Sequence, residues 1–253
     1  MVISLAISLF AACSGDRLSD IKKNGEIVVY TDPNFYPFEF MGSDGPEGVD
    51  IEIARAIADN LGVTLKIQES EFDAIIMALK GGKGDIAISG MTITDERKKS
   101  VDFSNPYINS VQYMIIRNGS VYKVLEDLAG QKIGVAFGYT GAFIIEDEID
   151  DGVLTDTGAS MTEYPSANEA TLDLINGKVE AVIMDEHVAK NIVAVNGGLT
   201  AFELAYADGA IAEEEYGVVV PKGNKELLAR INTVVANLLA EKKIEQWVVQ
   251  YSN

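Results

Sequence analysis

The stretch Ile86-Ala87-Ile88-Ser89-Gly90-Met91-Thr92-Ile93-Thr94-Asp95-Glu96-Arg97-Lys98-Lys99 decides the fold class. An apolar run ends in Ser89-Gly90, and Thr94 stands where a helix beginning Asp95-Glu96-Arg97 needs its N-cap. Strand, loop and helix in that order make one arm of an α/β repeat. The loop offers free backbone N–H groups, and in open α/β sheets ligands gather at this end of the strands. A carboxylate suits the place, since Arg97 can add two parallel charge-assisted bonds and Ser89 and Thr92 are short hydroxyl donors beside Gly90. The alternative for Arg97 is a surface pair with Asp95 or Glu96.

Upstream, residues 26–31 read as a β-branched strand and 32–37 as a loop punctuated by two prolines. Residues 49–61 predict a helix with Ile53, Ile57 and Leu61 on one face and Gly62 as its stop. A strand at 64–68, a short helix at 73–80 and a strand at 85–89 complete a β-α-β-α series. The pattern then repeats: a strand at 132–136, a glycine-bearing loop at 138–141, a helix start at 141–148, a helix at 167–175, and a buried strand at 179–184 ending at Asp185. Two such units predict an α/β chain of two lobes, each a mainly parallel sheet flanked by helices, joined by a two-strand hinge. Residues 107–117 and 206–216 are the candidate crossovers. The first lobe is expected over 26–108 and 215–253 and the second over 109–214, with 14–25 a polar linker. The amphipathic stretch 225–251, with Leu228, Ile231, Val235, Leu238 and Leu239 on one side, should pack back on the first lobe.

Among the 253 residues, Lys and Arg number 20 against 39 for Asp and Glu, and the net charge of -19 argues against nucleic acid and anionic lipid as partners. It suits a small cationic partner, although solubility alone also explains it. His187 is the only histidine, expected on the surface of the helix after Asp185, so no histidine metal cluster or Ser-His arrangement can be built. The acidic run 146–151 lacks the glycine-turn spacing of a calcium loop and reads as a solvated helix end. Gly138-Tyr139-Thr140-Gly141 lacks the lysine of a phosphate loop, and Ser120 with Lys123 has the acyl-enzyme spacing without its supporting motifs. No metal and no cofactor are expected. Residues 2–12 are uncharged and stop at Cys13, the single cysteine. This run is too short for a bilayer span of ~20 residues and fits the apolar core of a secretory signal. Residues 9–15 resemble a bacterial lipobox, which implies a signal segment over 1–13 and a lipid anchor at Cys13. Phe10 stands where leucine is usual, and no Lys or Arg precedes the run; otherwise Cys13 is an incidental residue of the N-terminal segment.

Four blocks carry a wider resemblance: Tyr30-Thr31-Asp32-Pro33-Asn34-Phe35-Tyr36-Pro37-Phe38-Glu39-Phe40; Gly48-Val49-Asp50; Phe72-Asp73-Ala74-Ile75-Ile76-Met77-Ala78-Leu79; and Gly90 to Lys99 with Val101-Asp102-Phe103-Ser104. It continues through 134–141, 181–185 and Tyr216-Gly217 to the C-terminal helix. The chain resembles the polar amino-acid-binding family of bacterial solute receptors, which includes the glutamine, histidine and lysine-arginine-ornithine binding proteins and has the type II periplasmic-binding-protein fold. The resemblance implies that Arg97 grips the ligand α-carboxylate, helped by Thr92 and the backbone at Gly90, with Thr140 adding a contact from the glycine loop. Asp185 would hold the α-ammonium from across the cleft. Phe35 and Phe72 match the walls that sandwich the ligand side chain, the alternative for each being a core position. Asp32 would face that side chain, and Ala136 stands where glutamine-type receptors carry a neutralising lysine. An unpaired carboxylate there favours arginine, lysine, ornithine or histidine, then glutamine, with glutamate last. Tyr139, Glu71 and Met184 are further neighbours of the side chain. The implied role is the extracytoplasmic solute-binding component of an ABC importer, a monomer that closes on a free amino acid and hands it to a permease. The rival is an enzyme similar to the cyclohexadienyl dehydratases, which needs a general acid, with Glu39 or Glu71 as the candidates.

Overall fold

The computed structural model describes residues 17–252, so the signal-like run and Cys13 lie outside the described residues. The chain opens with α1 (Arg17–Asn24), β1 (Glu26–Thr31) and three short strands, β2 (Asn34–Phe35), β3 (Glu39–Met41) and β4 (Pro46–Glu47). Then follow α2 (Val49–Leu61), β5 (Thr64–Glu69), α3 (Ile75–Lys80), β6 (Ile86–Ala87), α4 (Asp95–Ser100) and β7 (Val101–Phe103). The long β8 (Ile108–Arg117) leads into β9 (Lys132–Ala136), α5 (Thr140–Asp150), β10 (Ser160–Tyr164), α6 (Ala167–Ile175), β11 (Ala181–Asp185), α7 (Glu186–Val195) and β12 (Leu199–Glu203). The chain returns through β13 (Glu213–Tyr216) and β14 (Val219–Pro221) to α8 (Lys225–Ala240) and α9 (Lys243–Tyr251).

Two sheets form the frame, one ordered β5-β1-β6-β14-β7 and one β10-β9-β11-β8-β12 with β13 also on β8. Each holds parallel and antiparallel pairs: β5, β1 and β6 run parallel in the first and β10, β9 and β11 in the second, while β14 runs antiparallel to both β6 and β7, and β8 to both β11 and β12. The parallel neighbours are joined through helices, as parallel strands require. Between the sheets the outgoing and returning strands lie side by side, Tyr107 N donating to Tyr216 O at 2.9 Å and Ser104 N to Val218 O at 2.9 Å. This is the two-strand hinge.

The helix α2 takes its predicted span because Val49, Ile53 and Ile57 share one buried face, and Gly62 ends it in the left-handed region at φ 71°. Burial of each such side chain contributes roughly 1.5–3 kcal/mol. Two expectations are corrected. The polar segment 14–25 is not a plain linker, because α1 forms within it and buries Leu18 and Ile21, an i, i+3 apolar pair. The C-terminal stretch is two helices, broken where Lys242 takes φ 55°. Its buried face is Leu227, Ile231, Val234, Val235 and Leu238, while Leu239 is exposed and Leu228 half-buried. Both helices pack on α2, as the amphipathic pattern predicts.

Candidate functional site

The strand–loop–helix block forms as read. Thr94 Oγ1 accepts from Arg97 N at 3.2 Å and caps α4, an arrangement worth ~1 kcal/mol. Gly90 sits at φ 50°, and a Cβ there would fall 2.4 Å from the Phe35 ring, so no other residue fits. The loop is nonetheless less free than expected. The Gly90 N–H donates to Asp50 Oδ2 at 2.7 Å, and the Ser89 hydroxyl accepts from Asp32 N at 3.0 Å while giving its proton to Glu39 Oε1 at 2.9 Å. Neither group is the open donor that the sequence suggested; both brace the loop against acids beneath it. Asp50 and Glu39 are wholly buried, and burial first, then mutual proximity, pushes Glu39 well above the ordinary carboxyl range. Burial likewise raises Asp50 to about 6, against the hydrogen bonds from Gly90 and Tyr107. Each leaves one oxygen without a donor, Glu39 Oε2 and Asp50 Oδ1, and one proton shared between the two carboxyls answers both.

Arg97 turns inward. Its Nη1 donates to Thr92 O at 2.8 Å and its Nη2 to Gly138 O at 3.0 Å, across the junction between the sheets, with the guanidinium 5.3 Å from the Phe72 ring centroid. The surface-pair alternative falls to its neighbours instead, Lys98 with Asp95 and Lys99 with Glu96. Burial lowers the Arg97 pKa, and the charges of Glu214 and Asp185 oppose that fall.

The facing wall gathers carboxyls. Asp185, at the end of β11, accepts from Gln112 Nε2 at 2.8 Å and from the Tyr216 hydroxyl at 2.5 Å. The same Gln112 nitrogen reaches Glu214 Oε2 at 2.8 Å and Thr140 Oγ1 at 3.4 Å, and Thr92 Oγ1 donates to Glu214 Oε1 at 3.3 Å. Burial, then the Asp185 carboxylate, pushes Glu214 up to about 9. Thr140 is the first residue of α5 rather than part of the glycine loop. Gln112, Glu214 and Tyr216 were not singled out as site residues from sequence. The alternating burial of β13, in which Glu214 and Tyr216 point in while Glu213 and Glu215 point out, is the period-2 signal that could have found two of them.

Aromatic rings close the junction. Tyr139 stacks on Phe72 at 4.3 Å between centroids and lies 5.9 Å from Phe35, so the two expected wall rings are bridged by a third. Asp32 lies beside them, buried, accepting from Asn34 Nδ2 at 2.7 Å and Phe72 N at 3.2 Å, and burial raises its pKa. No lysine or arginine forms an ion pair with it among the described residues. Ala136 is buried at the end of β9, its carbonyl accepting from Tyr139 N at 3.2 Å. Met184 is buried, whereas Glu71 is exposed. His187 corrects the surface expectation: it is half-buried and meets Phe38 edge-on at 5.3 Å.

A cleft of about 920 Å³ runs along this junction, walled by Thr92 and Arg97 on one side, Thr140 and Phe143 on the other, and Glu214 on the connecting strand. Asp32, Phe35, Phe72 and Asp185 do not line it; they are packed behind it by contacts between the halves. The arrangement is a positive group, Arg97, and a pair of acids, Glu214 and Asp185, gathered at one seam.

Known proteins share this architecture. The chain is 34% identical over 218 residues to the L-arginine-binding protein of Pseudomonas aeruginosa, covering 83% of this chain and 81% of that one. It is 29% identical over 243 residues to the L-cystine-binding protein TcyJ of Escherichia coli, covering 92% and 87%. The crystal structure of the ABC transporter substrate-binding protein AbpA from Streptococcus pneumoniae, bound to L-arginine, superposes with a TM-score of 0.84 at 32% identity, covering 92% of this chain and 97% of that one. The model of the bacterial extracellular solute-binding proteins, family 3, matches residues 27–253, and with the two sheets, the paired hinge strands and the seam between them already in place, the chain belongs to that family.

Proposed function

We propose that this chain is the solute-binding component of an ABC importer for a cationic amino acid, arginine before lysine, ornithine or histidine, with glutamine next. The observation that carries the reading is the charge polarity of the seam: Arg97 and the capped start of α4 on one side, Asp185 on the other, and the buried, ion-pair-free Asp32 beside the rings. A zwitterion leaves water only where each end meets an opposite charge. Arg97, Thr92 and Thr140 take the α-carboxylate and Asp185 the α-ammonium. Asp32 takes the distal cation, with Phe35 and Phe72 as faces for a planar guanidinium. Tyr139 occupies the slot between those faces in the shut form, and the ligand side chain replaces it. The relatives named for arginine support this choice, and the cystine-binding relative keeps a neutral zwitterion within the panel below.

The lobes are residues 26–108 with 215–253, and 109–214, closing about the hinge strands. The protein acts as a monomer outside the cytoplasm, held by a lipid on Cys13, and delivers its cargo to a permease. The dehydratase alternative is not favoured by the site: Glu39 is sealed in the network under Ser89, and Glu71 faces solvent.

A thermal-shift panel of the amino acids with ornithine and cystine tests the reading on the purified protein. A ligand at ~100 times its Kd adds about 2.7 kcal/mol of stability. Arginine should give the largest shift. No shift with any amino acid, or turnover of prephenate or arogenate, overturns the assignment.

A further inference from the structure

Glu214 is a carboxyl group that the ligand scheme above does not use, yet it stands on the cleft wall with Thr92, Arg97 and Thr140 and is only 6% exposed. Its Oε2 shares one donor, Gln112 Nε2, with Asp185 Oδ1, at 2.8 Å to each. The charged and titratable groups nearest it are Asp185 from β11, Arg97 from α4 and Tyr216 from its own strand, and Glu96 of α4, Asp147 of α5, Glu186 of α7 and Glu213 and Glu215 of β13 line the same cleft. Arg97 forms no ion pair with it, being engaged by the carbonyls of Thr92 and Gly138. The cluster is rich in acceptors and poor in donors. Gln112 Oε1 is also fully buried and accepts no hydrogen bond. A group that brings several N–H donors and a positive charge supplies what this corner lacks.

We propose that Glu214 and Asp185 together form the receptor for the ligand's ammonium group, bridged by Gln112, so that Glu214 is a binding residue in its own right. This rests on the amino-acid-binding reading above and deepens it: two acids at one end and Asp32 at the other select a ligand of net positive charge. Glu214 carries a proton in the free protein because burial and Asp185 raise it to about 9. An arriving ammonium favours the ionised form, so the proton leaves for solvent. Binding that releases a proton tightens as pH rises from neutral towards about 9.

Titration calorimetry of L-arginine in two buffers of different ionisation enthalpy, near neutral pH, counts the protons released. The parent should release close to one. Glu214→Gln should release none and bind arginine about tenfold more weakly. Argininic acid, which carries a hydroxyl in place of the α-amino group, should release none from the parent, and this arm decides the matter if the variant does not fold. Arginine binding without proton release, or release unchanged in Glu214→Gln or with argininic acid, overturns this proposal and leaves the functional reading intact. Failure of every amino acid to bind overturns both.

Discussion

The two walls of the cleft hold their polar groups by opposite means. On the first, the Ser89–Gly90 loop is pinned from below by Glu39 and Asp50, buried acids raised above the usual carboxylate range, and the cation Arg97 reaches across the seam. On the second, Glu214 lines the cleft with Asp185 packed behind it, and one amide, Gln112, steadies both. Buried carboxyls therefore serve as scaffold on one side and as receptor on the other. The difference lies in what surrounds them: backbone N–H and hydroxyl donors in the first case, and a single amide, two hydroxyls and a cleft in the second.

The largest effect should come from removing either pole. Arg97→Ala and Asp185→Ala should each weaken arginine binding by at least about a hundredfold, the scale of a truncated buried charge contact. Calorimetry checks this, and near-parent affinity in either variant breaks the division into poles. The scaffold acids should reveal themselves through pH instead. Glu39, Asp50 and Glu214 keep protons in the folded chain that the unfolded chain has lost, so the ligand-free protein should lose stability as pH rises from 4.5 towards about 9. Glu39→Gln should flatten that slope, seen in denaturant midpoints across the range, while leaving arginine proton release unchanged. A slope unaltered by the substitution places the titrating groups elsewhere. The smallest effect belongs to the cap: Thr94→Ala should cost ~1 kcal/mol, about 2–4 °C in Tm for a chain of this size, with affinity lowered only through the looser start of α4.

The same contrast explains what the amino-acid sequence disclosed. The first wall is nearly contiguous: Thr92, Thr94 and Arg97 sit within one strand–loop–helix, and cap, loop and basic residue are local signals. Even there, nothing local says that Glu39 and Asp50, 50 and 40 residues upstream, hold the Ser89 hydroxyl and the Gly90 N–H. The second wall is assembled over distance. Gln112 meets Asp185 across 73 positions and Glu214 across 102, so only the resemblance to a family pointed to Asp185, and nothing local marked Gln112 or Glu214 as its neighbours. Element types were legible because α2, β9 and α6 follow their apolar periods. The antiparallel setting of β8 and β14 was not, since strand direction there depends on how the chain crosses between the sheets. The short apolar pair Leu18 and Ile21 was hidden in polar text.

The claim beneath the whole account is that opposite poles of the seam hold opposite ends of one small molecule. Calorimetric titration of the purified protein with L-arginine, agmatine and argininic acid tests it directly, since the second lacks the carboxylate and the third the α-ammonium. Arginine should bind, and each one-ended analogue should bind at least about a hundredfold more weakly. An analogue that binds as tightly as arginine contradicts the account.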